Sequence, residues 1–211
     1  SVAKYLSEFR KSEHGKTNLL DYDSGDLRRD SSASNSITTT WQISFDHIRS
    51  VRPSAAELLS LMSFFDRQGI PDYLLQRGND SEKRDRCDSS GDDDSVSTFS
   101  DDGADNNFED DITTLRNYSL IGVNKKGDAF EMHRLVQLST RKWLEAYGQL
   151  EKWKEQYIAK MSEAFPTAEY GNWRSCQKLF AHAEAAIGQR PVSESSLKDW
   201  ARILNNAGWY A

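Results

Sequence analysis

His133 stands where the hydrophobic period of the chain changes, and a histidine in that place has the chemistry to meet a phosphate. Upstream, apolar residues alternate through Ile121 and Val123, then Phe130 and Met132, the period of a strand. From Val136 the spacing is helical. Val136, Thr140, Trp143 and Tyr147 share one face, and Leu135, Leu138 and Leu144 widen it. Between the two strand-like runs, Asn124-Lys125-Lys126-Gly127-Asp128 supplies a turn in which Gly127 is able to take positive φ. The pattern predicts strand, hairpin, strand, His133, helix. A histidine just ahead of a helix lies beside unpaired amide donors and the positive end of the helix dipole, where an anion is favoured. The plainer role for the same residue is to cap or pack the helix start.

Other residues with chemical potential are less well placed. Gly15-Lys16-Thr17 looks like the end of a phosphate-binding loop. Such a loop needs a glycine five residues before Gly15, where Arg10 stands, and a buried strand upstream, where the pattern is helical. His14, His47, His133 and His182 are scattered without the paired spacing of metal ligands. Cys176 falls on an apolar helical face and reads as core. No Gly-x-Ser-x-Gly elbow is present, and the acidic pairs sit in a stretch that cannot hold them as an acid/base pair. The chain therefore reads as non-catalytic, with no metal site. Ser89, Ser90 and Thr98 each have an aspartate three residues on (Asp92, Asp93, Asp101), the pattern acidophilic kinases accept; an unregulated, solvated acidic loop is the plainer reading.

Composition narrows the function classes. The 211 residues suffice for one large or two small domains, and the net charge of −6 opposes a general nucleic-acid or anionic-membrane binder. No apolar run approaches the ~20 residues that span a bilayer. No secretory signal is visible, so the Asn79 and Asn117 sequons carry no weight. Two cysteines, with Cys87 in a polar stretch, fit a reducing, cytoplasmic setting. The chain opens on Ser1 rather than Met and ends on a helix with no C-cap, which leads us to expect a piece of a longer protein.

The elements that must position His133 can be read in order. Residues 1–20 carry a short helical face (Val2, Tyr5, Leu6, Phe9), and 21–36 read as a linker. Ser36 to Ser50 predicts a helix with Trp41, Phe45 and Ile48 inward. Pro53 opens a nearly all-apolar helix through Phe65, ended by Gly69. Pro71 to Leu75 starts a third, short helix. The stretch 77–107 is rich in Asp, Ser, Gly and Asn and is expected to be a disordered insertion. Structure resumes with a helix over Phe108–Asn117, then the hairpin and the helix after His133. Further helices are expected over about 150–164, over Asn172–Ile187 with Trp173, Cys176, Phe180, Ala183 and Ile187 inward, and from Ser193 or Ser196 to the end. The fold class is mainly α: a winged helix-turn-helix with a small β-hairpin, then helices.

At Phe130 to Gln137 the chain resembles the winged-helix segment of STAND-class NTPases, the NB-ARC or NOD-like-receptor-type switch proteins, particularly their fungal members. Thr40 to Phe45 looks like the opening helix of that segment, Leu115 to Ile121 like its helix-then-strand stretch, and Met132-His133 like its Met-His motif. Residues 1–20 look like the end of a preceding helical subdomain. Phe165-Pro166 and Asn172 to His182 look like a connector to tetratricopeptide repeats. Leu204 to Tyr210 is similar to the opening of a first repeat, with Ala207-Gly208 at its Leu-Gly position. The resemblance implies a layout of 1–20 (preceding subdomain), 21–36 (linker), 37–148 (winged helix with the insertion 77–107), 149–190 (connector) and 193–211 (first repeat). It implies that His133, flanked by Met132 and Arg134, contacts a phosphate of bound ADP and holds a resting state. ADP or ATP would bind only in the full-length protein, whose nucleotide-binding domain precedes Ser1, and none would bind the chain alone. Its partners would be that domain and proteins captured by the repeats. Plant members carry Asp where this chain has Arg134, so no role of that acid transfers.

Two other readings stay open at this point. Lys125, Lys126, Arg134, Arg141 and Lys142 would serve a winged-helix nucleic-acid binder, a reading the acidic balance disfavours. A plain protein-interaction scaffold led by the repeats is the other.

Overall fold

The computed structural model describes residues 37–76 and 102–211, with side chains over 41–76 and 107–211. The helical pattern of 1–20, the linker 21–36, most of the acidic stretch and the candidates Ser89, Ser90 and Thr98 lie outside the described residues.

The described chain is mainly helical with one small sheet. Its elements in order are α1 (Ile37–Val51), α2 (Pro53–Met62), β1 (Ile70–Pro71), a 3-10 turn (Asp72–Leu74), α3 (Asp102–Asn117), β2 (Ile121–Val123), β3 (Ala129–Met132), α4 (Arg134–Ala146), α5 (Leu150–Ala164), a second 3-10 turn (Tyr170–Asn172), α6 (Trp173–Ile187) and α7 (Glu194–Tyr210). The sheet order is β1-β3-β2, antiparallel throughout.

Local sequence explains most of these elements. Pro53 begins α2, where its missing N–H costs nothing. Its apolar residues then point in every direction, and Ala55, Ala56, Leu58, Leu59, Leu61 and Met62 are all buried. At ~1.5–3 kcal/mol for each large apolar side chain removed from water, α2 is the post on which the other elements pack. Trp41, Phe45 and Ile48 bury the inner face of α1, and Phe45 meets Trp143 of α4 edge-on at 4.8 Å. In the hairpin, Gly127 has φ +81°, Asn124 Nδ2 donates 2.6 Å to Asp128, and the Asn124 N–H returns to Ala129 O at 2.9 Å. That first bond holds the Asp128 carboxyl below its ordinary range.

Several expectations need correction. The α2 helix stops at Met62, not Gly69. Phe64 and Phe65 leave it with tighter bonds, to Leu61 O and Met62 O, and with Ser63 they remain fully buried. Two side chains of α4 take up carbonyls freed there: Arg141 Nε donates 2.7 Å to Ser63 O, and Gln137 Nε2 donates 2.8 Å to Phe65 O. The segment from Pro71 is a single 3-10 turn behind the strand β1, which the sequence did not announce. Helix α3 begins at Asp102, six residues before the expected Phe108; acids suit the positive end of a helix, so a polar start is no bar. Trp173 and Ile187, expected inward, are exposed because they occupy the two ends of α6. The buried face of α6 runs through Cys176, Leu179, His182, Ala183 and Ala186.

A polar clamp joins the α1–α2 corner to α3. Arg52 Nε pairs with Asp111, its second nitrogen reaches Asp110 at 3.3 Å, and a third donates 2.9 Å to Asn107 O. Ser54 Oγ adds a 2.6 Å bond to Asp111. The buried Asp111 carboxylate is thereby neutralised and hydrogen-bonded.

Candidate functional site

The site is the junction of β3 and α4. Pairing fixes β3 from both sides, since Phe130 faces Ile70 of β1 and Val123 of β2. Met132 turns inward at 3 % exposure, and its N–H donates 2.8 Å to Arg67 O in the α2–β1 loop. The next residue, His133, must therefore point out, and it is exposed. Its backbone is extended (φ −67°, ψ 137°), the conformation of a residue just outside a helix.

The His133 ring caps α4: Nδ1 accepts from the Leu135 N–H at 3.2 Å. An accepting Nδ1 is unprotonated, so in the neutral ring Nε2 carries the hydrogen. One residue thus does two things. It satisfies an orphan amide at the start of α4 and presents an N–H donor from an exposed side chain at the positive end of that helix. Arg134, the first residue of α4, is also exposed and is engaged in an interaction of its own. Met132, His133 and Arg134 accordingly come together with distinct roles: buried anchor, cap and donor, and cation.

The floor of the junction is closely packed. Thr140, Trp143 and Leu144 are buried, and the Arg49 guanidinium lies 4.9 Å above the Trp143 ring. Tyr147, at the end of the predicted face, is exposed but stacks on Trp143 at 4.3 Å. Lys125 and Lys126 sit exposed at the hairpin tip. Elsewhere, His47 is exposed and tilts against Tyr118, while Cys176 is fully buried, and burial pushes its thiol up, away from a reactive thiolate. His14 and Cys87 lie outside the described residues. Among the described residues no three His, Cys, Asp or Glu side chains are grouped to hold a metal ion, and no helix is long and apolar enough to cross a membrane.

The residue that sequence reasoning passed over is His182. It is buried on α6 with Nε2 3.1 Å from Gly69 O. The signal was available: a histidine in phase with Cys176 and Leu179 on an otherwise apolar face.

Residues 46–147, from within α1 to the end of α4, match the model of a domain of unknown function, DUF7779. The whole chain matches a nucleotide-binding leucine-rich repeat (NLR)-like protein of Hyaloscypha variabilis at 29 % identity, covering 100 % of this chain and 19 % of that protein. The chain thus spans about one fifth of the length of that curated relative. No solved structure matches it. From end to end, the chain is a distant homologue of an NLR-like protein.

Proposed function

We propose that the chain is a non-catalytic lid and coupling segment of a nucleotide-switched signalling protein. Residues 37–148 act as a winged helix-turn-helix, 149–190 as a helical connector, and 193–211 as the start of a tetratricopeptide-like repeat. The observation that carries this reading is His133, whose cap bond fixes Nε2 as an outward donor at the N-terminus of α4. A hydrogen bond from that donor to a phosphate of ADP stabilises the resting state of the parent protein. The order of helices and strands supports the winged-helix assignment, because β1, far upstream of the hairpin, pairs with β3. The Hyaloscypha relative, a nucleotide-binding leucine-rich repeat (NLR)-like protein, supports the setting. ADP or ATP is held by a domain preceding Ser1, in the cytoplasm, and proteins engage the repeats downstream.

Nucleic acid is disfavoured as the ligand. In a winged helix the helix that enters the groove is the third, here α3, and Arg116 is the single basic residue in its sequence, too little positive charge for a helix that must lie against phosphates.

Calorimetry tests the assignment. The 211-residue chain should show no ADP binding near ~1 μM, while the longer parent protein retains ADP through purification. Micromolar ADP binding by this chain alone, or a parent without nucleotide affinity, overturns it.

A further inference from the structure

His182 lies midway along α6 at 1 % exposure. Its Nε2 is 3.1 Å from Gly69 O, and a carbonyl only accepts, so Nε2 carries the proton. Nδ1 is left as a bare lone pair, buried and without a hydrogen-bond partner. The ring stands edge-on to Phe65, centroids 5.7 Å apart, and the carbonyl of His182 accepts from the Tyr157 hydroxyl of α5. The bonded carbonyl is well placed. Gly69 has φ +68° and leads directly into Ile70, the residue of β1 that faces Phe130 in β3. His182 therefore ties the C-terminal helices to the loop that fixes the sheet.

We propose that His182 closes a proton-sensitive joint between α6 and the α2–β1 loop: neutral, it locks the two together, and protonation opens the joint. The closed arrangement accepts only the neutral ring. A second proton would create an Nδ1–H donor with no acceptor and a charge beside Phe65 and Tyr157, and both are costly in a dry core. The polar groups around the ring do not offset that cost. Burial pushes the His182 proton affinity down, and the Gly69 carbonyl and the Asp66 carboxylate of the loop pull it back only in part. Tyr157 of α5 is itself held protonated by burial, and Arg141 of α4, whose charge acts on Tyr157, adds no negative charge. A pKa depressed in the folded state means that the joint is intact above the ordinary histidine value of 6.5 and is lost as pH falls below it and through the lower folded value. The joint needs no nucleotide, so it stands or falls separately from the role of His133.

The test compares the 211-residue chain with its His182→Gln variant, whose side-chain amide can donate to Gly69 O and does not titrate. Thermal midpoints and backbone hydrogen exchange are measured at pH 7.5 and 5.5. The wild type should lose ~2–4 °C more than the variant on acidification, the shift one uncompensated interaction gives in a domain of this size. It should also lose protection in α6 and in residues 67–72 ahead of the rest. Equal acid sensitivity of the two proteins overturns the joint. Should His182→Gln not fold, nitrogen NMR of the wild-type ring decides. A ring that gains its second proton as α6 loses protection sustains the proposal; a ring neutral at pH 5.5, or protonated with α6 still protected, overturns it.

Discussion

Ile70 of β1 sits opposite Phe130 of β3, so a two-residue strand ahead of the acidic stretch is stitched to the strand that delivers His133. Both residues are buried, and Phe108 of α3 packs on the Phe130 ring at 6.1 Å. Phe130 is thus the point where α3, β1 and β3 meet. Phe130→Ala should cost ~3–5 kcal/mol in urea unfolding, the price of a large cavity that a pinned sheet cannot collapse. A loss under ~1 kcal/mol would mean the sheet is loose and does not position His133.

How far the sequence foretold this arrangement depends on the range of the interaction. The hairpin and α4 were legible because their signals are local: Gly127 in the turn, alternation through Ile121 to Met132, then helical spacing. The strand β1 was not. Two residues give no periodicity, and Pro71 argues against a strand unless it is at an edge, which is where the order β1-β3-β2 puts it. The start of α3 was missed because Asp102 to Asn107 has the composition of a loop, and only the tertiary clamp from Arg52 to Asn107 and Asp111 reveals the helix as anchored. His133 as a junction residue was readable, but its ring orientation was not, since the tautomer follows from one bond to Leu135.

The Arg52 clamp makes its own prediction. Arg52→Ala strands the buried Asp111 carboxylate with Ser54 as its remaining partner. A hydrogen bond to a charged group is worth ~1.5–3 kcal/mol, and the lower end applies because Arg52 is about a quarter exposed. Chemical unfolding should show that loss, and Asp111→Asn in the Arg52→Ala background should recover part of it by removing the unpaired charge. An Arg52→Ala protein of unchanged stability would show the clamp to be idle.

Glu151 links α5 to the α6–α7 turn, accepting from Lys154 at 2.5 Å and from the Val192 N–H at 2.6 Å. Burial pushes its carboxyl up, but the Lys154 ammonium and the Val192 amide together outweigh burial and hold it below the ordinary 4.5. A depressed carboxylate contributes stability that is present above 4.5 and lost as pH falls through the lower folded value. Glu151→Gln should therefore destabilise the chain at pH 7, and the gap to wild type should close on acidification below pH 4.5. A gap that stays constant with pH would assign the effect to shape rather than charge.

Two substitutions at His133 separate its two roles. Asparagine is among the best helix caps, and its side-chain oxygen can accept from Leu135 as Nδ1 now does, but it is too short to place a donor where Nε2 lies. Alanine loses both cap and donor. In unfolding experiments on this chain, His133→Ala should cost ~1 kcal/mol and His133→Asn close to nothing. In the full-length parent both should release ADP faster, by about 10- to 150-fold, since a hydrogen bond to a charged group is worth ~1.5–3 kcal/mol and each ~1.4 kcal/mol is a factor of ten. ADP off-rates that follow cap strength, slow for Asn and fast for Ala, would make His133 a structural residue that steadies α4. Off-rates equally fast in both variants, with only Ala destabilised, would assign the loss to the missing Nε2–H at the phosphate.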